Sequence, residues 1–438
     1  MTHFSDSDIT ELVKDDRVHR SIYTDPAIFD LEMERLWGRA WIYVGHESQV
    51  KNPGDYFTTN IALQPVILTR HKDNKLHVLF NRCAHKGAQV VGDVCGHAQQ
   101  LRCCYHGYVF DTDGTLLHIP KEEAYQGTGF GKGKPNANMQ QVPRVDSYRG
   151  LIFANLAETG VDLKTWLGST ASSIDDLIER SPEGEIEIAG GCFRYLHDSN
   201  WKMFVENIAD AMHPMVVHQS SSATAKTVYN SLYTDEQPLP FELELVSPFT
   251  NNYEFFEKMG ATACHFGHAY TGGQTSIHSS YSPVSGYSEA LVKAYGEART
   301  AEILSVNRHS TLLYPSLLVK GAVQIVRVVR PVAVNKTIVE SWVFKLKGAP
   351  DELFQRSITY ANTIFSQANL VGPDDYEAYH RIQAGLHAQG NDWVSMHRNF
   401  GQDECQEDGN RKAIGTSDMV FRNQYQAWKN YMTNNKSI

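Results

Sequence analysis

Polar residues cut the first forty positions into short helical runs. Leu31, Met33, Leu36 and Trp37 give one of them an apolar face, which predicts a helical segment over residues 1–40 that packs on the C-terminal part of the chain. After Gly54 the periodicity shortens. Apolar stretches at 62–69, 76–80, 108–110 and 150–156, separated by turn-forming residues, predict short strands and a small β-sandwich over residues 41–157. Asp113-Gly114, just after the third stretch, predicts a two-residue hairpin. An acidic connector runs from 158 to 191 and includes Asp175-Asp176. Beyond it, strand patterns at 312–318, 322–332 and 337–346 mix with helical patterns near 200–213, 285–300, 351–366 and 374–386. Long strands beside separate helices predict an α+β domain over 158–438, an antiparallel sheet surrounded by helices.

Composition narrows the class only a little. The 438 residues suffice for two or three domains at roughly 150 residues each, and 42% hydrophobic with 21% charged residues is ordinary for a globular protein. A formal charge of −10 argues against a nucleic-acid partner, which needs a basic face. The N-terminus is polar and acidic, unlike a signal peptide, and no apolar run reaches the ~18 residues of a membrane span. A cytoplasmic protein with no membrane contact is expected. Its seven cysteines are then thiols or metal ligands rather than disulfides. The glycine-rich run from Gly127 to Pro135 has no strand before it, no helix after it and no Gly-Lys-Ser/Thr, so it reads as a surface loop and not a phosphate cradle.

Two clusters carry chemistry. The first is Cys83-Ala-His85, then 17 residues, then Cys103-Cys104-Tyr105-His106. Two thiolates and two imidazoles suit either a Cys2His2 zinc site or a Rieske 2Fe–2S centre, in which two Cys hold one iron and two His the other. Zinc-finger ligand pairs are alike within each pair, whereas each loop here offers one Cys and one His. That fits a centre whose two irons draw ligands from both loops. Gly87 and Gly107 would let the backbone pass close to it. Spacing does not choose between Cys103 and Cys104. Cys95 and His97 read as a loop thiol and a solvated histidine.

The second cluster is Asp210-Ala-Met-His213-Pro-Met-Val-Val-His218. Trp201, Phe204, Val205 and Ile208 mark an amphipathic helix leading into it, with Asp198, Ser199 and Asn200 as N-cap candidates. Asp210 and His213, three apart, would share a helical face, and Pro214 would end or kink the helix at His213. Two histidines and a carboxylate suit non-haem Fe(II). Asp374-Asp375 offers the carboxylate, and Asp210 is a competing candidate.

These residues resemble a known family. Cys83-Ala-His85…Cys103-Cys-Tyr-His106-Gly, followed by Asn200-Trp-Lys…Glu206-Asn207…Asp210…His213…His218, is similar to the large (α) subunit of Rieske non-haem iron aromatic ring-hydroxylating oxygenases. So are Tyr23-Thr-Asp-Pro near the N-terminus and Tyr148-Arg-Gly-Leu-Ile-Phe-Ala-Asn-Leu156. The resemblance implies one Rieske 2Fe–2S cluster on Cys83, His85, Cys103 and His106, and one non-haem Fe(II) on His213, His218 and Asp375. Cys104 stands where the family has proline, and Tyr108 where it has tryptophan. Asp210 matches the family's bridging carboxylate, which joins an iron-ligand histidine, here His213, to the neighbouring subunit's Rieske histidine, here His106. Phe204, Val205, Asn207, Ile208, Phe365, Leu370 and Val371 fall at substrate-pocket positions, and ordinary core packing competes with that reading.

The implied activity is O2-dependent hydroxylation of an aromatic ring, with cis-dihydroxylation favoured over single hydroxylation or demethylation. The spacing from Asn207 to Asp210 resembles the benzoate, anthranilate and salicylate branch, which implies a polar or carboxylated aromatic. Electrons would come from an NAD(P)H-dependent reductase, with or without a ferredoxin, and the oligomer would be α3, or α3β3 with a small β subunit. A Rieske electron-transfer protein and a zinc-stapled structural protein are the non-enzyme alternatives.

Overall fold

The computed structural model describes residues 4–232, 239–369 and 371–433. The chain folds into two compact units. One comprises Trp37–Leu163; the other joins the N-terminal stretch to Leu36 with everything from Lys164 onward.

The Trp37–Leu163 unit is built from three small antiparallel sheets. Strands Ile42–His46, Arg144–Tyr148 and Leu151–Asn155 make the first, and Leu151–Asn155, buried throughout, is its centre. Asp55–Ile61, Gln64–Arg70, Leu76–Phe80 and Cys95–His97 make the second. Leu101–Arg102, Val109–Phe110 and Leu116–His118 make the third. The expected two-residue hairpin at Asp113-Gly114 is wider. Asp111 N donates to Thr115 O at 2.8 Å, which leaves a three-residue loop closed by Gly114 at φ +90°. Thr112 sets that width: its carbonyl accepts from Thr69 Oγ1 at 2.6 Å, drawing it inward. The glycine-rich segment is loop and turn between two single 3-10 turns.

The second unit is organised by a nine-stranded antiparallel sheet. Its order is Ile186–His197, Lys336–Leu346, Ile325–Ala333, Leu317–Lys320, Ser310–Leu313, Ala269–Thr271, Ala261–Ala263, Arg411–Ala413 and Glu404–Cys405. The molecule is thus α+β. The pattern at 312–318 is two strands and not one, because Tyr314, Pro315 and Ser316 form a tight turn with Ser316 N donating to Leu313 O. The long strand Ile186–His197 bulges at Gly190-Gly191, whose φ values of +74° and +83° suit glycine. The helical pattern at 285–300 is likewise broken by Gly296, at φ +80°, into Tyr287–Tyr295 and Glu297–Ser305. The N-terminal stretch is less helical than its pattern: Arg17–His19 is a strand paired with Trp393–Ser395. None of the described helices is long and apolar enough to cross a membrane.

One helix positions the second cluster. Trp201–Ala209 begins at Asn200, whose side chain accepts from Lys202 N at 3.1 Å, and it buries Trp201, Phe204, Val205 and Ile208. A polar lock fixes it. Glu32, fully buried, accepts from Trp201 Nε1 at 2.9 Å, Lys202 Nζ at 2.5 Å and Trp428 Nε1 at 2.7 Å. One turn on, Tyr23 Oη (2.9 Å) and Tyr425 Oη donate to Glu206.

Candidate metal centres

The two Cys/His loops share one backbone plan. Cys83 N donates to Ala88 O and Gly87 N to Cys83 O; Cys103 N donates to Tyr108 O and Gly107 N to Cys103 O. Gly87 and Gly107 close the turns at φ +79° and +72°. By this matching Cys103, not Cys104, is the counterpart of Cys83. Cys83 and Cys103 are each 2% exposed, whereas Cys104 faces out. The His85 and His106 rings lie 4.6 Å apart, centre to centre, and Tyr108 stacks on His85 at 4.9 Å.

The donor set fits a 2Fe–2S cluster. The amides of His85 and Lys86 donate to the Cys83 sulfur, and Cys83 and Cys103 are within hydrogen-bonding contact. His85 Nδ1 is buried with no hydrogen-bond partner among the described residues. A buried orphaned nitrogen is costly unless something ligates it.

In the second unit, ligand atoms of His213, His218 and Asp375 all lie within 4.8 Å of one another. Asp375 Oδ1 is 3.6 Å from His213 Nε2 and 3.4 Å from His218 Nε2. The geometry differs from a shared helical face. The Trp201–Ala209 helix ends before Asp210, which is extended at φ −90°, ψ 130°. Asp210 then caps the next turn: Oδ1 accepts from Met212 N at 3.1 Å and Oδ2 from His213 N at 2.8 Å. That places Oδ2 2.9 Å from His213 Nδ1 and turns His213 Nε2 toward Asp375. Burial raises the Asp210 pKa, but the His213 hydrogen bond and charge outweigh it and hold the carboxyl below its ordinary value.

Asp374 does for His218 what Asp210 does for His213. It sits 3.3 Å from His218 Nδ1 and accepts from Ser221 Oγ at 2.7 Å. The adjacent acids therefore divide: Asp375 faces the open triad and Asp374 stands behind a ring. Such carboxylate–histidine contacts orient metal ligands. Asn207 Nδ2 lies 3.0 Å from Asp375 Oδ1 and 3.2 Å from His213 Nε2. Two histidines and one carboxylate with room for further ligands fit mononuclear non-haem iron.

Sequence reasoning missed Arg398, which reaches Asp210 Oδ1 at 3.4 Å while donating to Asp418 Oδ1 at 2.6 Å. No local signal marks it. The proposed pocket residues are largely packed in. Phe204, Val205, Ile208, Phe365 and Val371 are each at most 6% exposed, and Phe365 and Val371 share one apolar cluster with Phe249 and Ile364. Leu370 lies outside the described residues.

Residues 40–145 match the Rieske [2Fe-2S] domain, and residues 185–414 match the ring-hydroxylating α-subunit catalytic domain. The chain belongs to the ring-hydroxylating α-subunit family. It is an oxidoreductase of the Rieske class, with a 2Fe–2S cluster and a non-haem iron as the cofactors of its two domains. Family members act on aromatic substrates with O2 and take electrons from a separate reductase.

The family member is 30% identical to the toluate 1,2-dioxygenase α subunit of Pseudomonas putida, over 87% of this chain and 83% of the relative. It is 28% identical to the 2-halobenzoate 1,2-dioxygenase large subunit of Burkholderia cepacia, over 92% and 84%. Among solved structures it is similar to naphthalene 1,2-dioxygenase, with a TM-score of 0.79 at 22% identity, covering 97% of this chain and 94% of that one.

Proposed function

We propose that this chain is the terminal oxygenase subunit that cis-dihydroxylates a carboxylated aromatic ring. The overall reaction joins arene, O2, two electrons and two protons into a cis-dihydrodiol. The observation that carries the reading is the His213–His218–Asp375 triad, in a chain that also bears the buried Cys83/Cys103 loops. Iron held at the triad supplies reductive activation of O2 when bound.

The residues have divided tasks. His213, His218 and Asp375 hold the metal; Asp210 and Asp374 fix the two rings; Asn207 steadies Asp375. Cys83, His85, Cys103 and His106 hold the cluster. Residues 41–157 form the electron-carrying domain, and 158–438, with 1–40 packed on it, the oxygen-activating one. Asp210 also links His213 to His106 of the partner subunit in an α3 or α3β3 assembly, so electrons cross between copies. An NAD(P)H-dependent reductase, with or without a ferredoxin, feeds them in.

The substrate class is supported by the relatives. The toluate, 2-halobenzoate and anthranilate dioxygenase subunits, 28–30% identical to this chain, are named for aromatic acids. The test is a single turnover of pre-reduced holoenzyme with O2 and a panel of benzoates, salicylates, anilines and neutral arenes. Hydroxylated product from the acids is expected. Product from neutral arenes alone would refute the substrate class, and no product from any arene would refute ring hydroxylation.

A further inference from the structure

Two cations are buried on the sheet face that the Trp201–Ala209 helix covers, and their polar contacts are all with neutral groups. Lys320 is 4% exposed and Arg327 6%. In the strand register Leu318 faces Arg327 and Lys320 faces Ile325, so Lys320 and Arg327 leave the same face of the sheet. That face lies under the helix, because the Arg327 guanidinium sits 4.5 Å from the Phe204 ring centre. One turn after Phe204 the same helix carries Asn207, whose Nδ2 is 3.0 Å from Asp375 Oδ1, so the patch runs toward the triad.

Arg327 is well accommodated. Phe365 covers it at 4.0 Å as Phe204 does at 4.5 Å, Nη2 donates to Tyr195 Oη at 2.6 Å, and Nε donates to Ser341 Oγ at 3.2 Å. Lys320 is not. Its ammonium donates to His309 O at 3.0 Å and Ser310 Oγ at 2.8 Å. An ammonium has three donors, and among the described residues the third meets nothing. A buried charge without a counter-charge is expensive, and burial accordingly pulls the Lys320 pKa down to about 7.

The neighbourhood is polar and equally unsatisfied. Among the described residues Nδ1 of His309 and Oη of Tyr281 are buried without a hydrogen-bond partner, and the His278 ring meets only the His309 backbone. The His278 ring lies 5.4 Å from each of the His309 and Tyr281 rings. Burial, and then the charge of Lys320, holds both imidazoles well below their ordinary pKa, so each is neutral. His278 also lines a neighbouring cavity of about 260 Å³ with Arg180 and Arg356, the latter paired with Glu352 at 3.3 Å.

We propose that Lys320 anchors a carboxylate on the aromatic substrate, with the neutral imidazoles of His278 and His309 as supporting donors and the ring held toward the His213–His218–Asp375 triad. An aryl carboxylate supplies the missing counter-charge and holds Lys320 protonated, whereas beside a neutral arene the amine is deprotonated or unpaired. Selectivity therefore works in both directions. The proposal rests on the aromatic-substrate reading above and names the residue that chooses within it.

The test is calorimetric titration of holoenzyme with benzoate and with benzamide, its uncharged isostere. Wild type should bind benzoate at least about tenfold more tightly. Lys320→Met should weaken benzoate by about 30–100-fold, the loss of one charge-assisted hydrogen bond, and benzamide by less than about threefold. If Lys320→Met loses its metals, Lys320→Gln carries the same comparison. Equal weakening of both ligands, an unchanged benzoate affinity, or a wild type that does not favour benzoate would each overturn the anchor. Failure of ring hydroxylation shows separately, as no oxygenated product from any arene, charged or neutral, in the turnover assay.

Discussion

Asp210 Oδ2 lies 2.9 Å from Nδ1 of His213 and accepts that same residue's backbone N–H at 2.8 Å. One carboxylate oxygen thus fixes both the turn that carries the histidine and the direction its Nε2 points. The Asp210 carboxylate faces the back of the ring, away from the triad.

An Asp210→Ala variant should therefore keep both metals and lose turnover by about 100-fold or more, beyond the ~10–100-fold typical of removing a carboxylate behind a ligating histidine. Iron analysis beside product assays separates the outcomes. Loss of the mononuclear iron would show that Asp210 is needed to hold the metal and would contradict the prediction that its loss spares the iron.

The adjacent cysteines should behave differently. Cys103→Ser should lose the red-brown cluster and its acid-labile sulfide while keeping the mononuclear iron. Cys104→Ser, altering an exposed thiol, should keep both. Visible absorption with sulfide counting checks each. The reverse pattern would place Cys104 in the cradle.

Glu32 joins the N-terminal segment to the iron-site helix and to the C-terminal helix Met419–Met432. Glu32→Ala would leave the buried Lys202 ammonium and two indole N–H groups unpaired, at a cost of about 3–5 kcal/mol. Adding Lys202→Met should recover part of that loss, because the stranded charge goes too. Denaturant unfolding of the single and double variants measures both effects.

Glu206 should give stability a distinctive pH dependence. Burial raises its pKa to about 7, against the pull of the Tyr425 and Tyr23 hydrogen bonds. The folded state therefore favours the protonated acid. Its contribution is full below the ordinary carboxyl range and is lost as pH rises toward 7, by up to about 1.4 kcal/mol per pH unit. Buried His46, His197 and His268, lowered by burial to about 4, 4 and 3, act oppositely and destabilise the fold as pH falls below about 6.5. The difference between wild type and Glu206→Gln isolates the first effect. It should move against wild type from about pH 4.5 to 7 and then level off. A flat difference would show that Glu206 titrates in the fold as it does in the unfolded chain.

Much of this was legible in the sequence because ligand types and short spacings are local. Cys83, His85, Cys103 and His106 were readable as a set, although the choice of Cys103 needed the backbone match with Cys83. The pair Asp374-Asp375 was visible, but only the fold shows one acid facing the triad and the other behind His218. The i, i+3 spacing of Asp210 and His213 was read as a helix face; the chain leaves the helix at Ala209, and the two meet through a capping turn. Arg398, paired with Asp418, reaches Asp210 across 188 residues of chain, which no local pattern reveals. Lys320 was hidden at the end of Leu317-Leu318-Val319, where a strand-terminal lysine reads as solvated.

The most direct measurement of the central claim is a single turnover of reduced holoenzyme with benzoate under 18O2, with mass spectrometry of the product. The account predicts a cis-dihydrodiol carrying two 18O atoms from one O2 molecule. A product with one 18O, or a demethylated product from a methoxybenzoate in place of any diol, would contradict it.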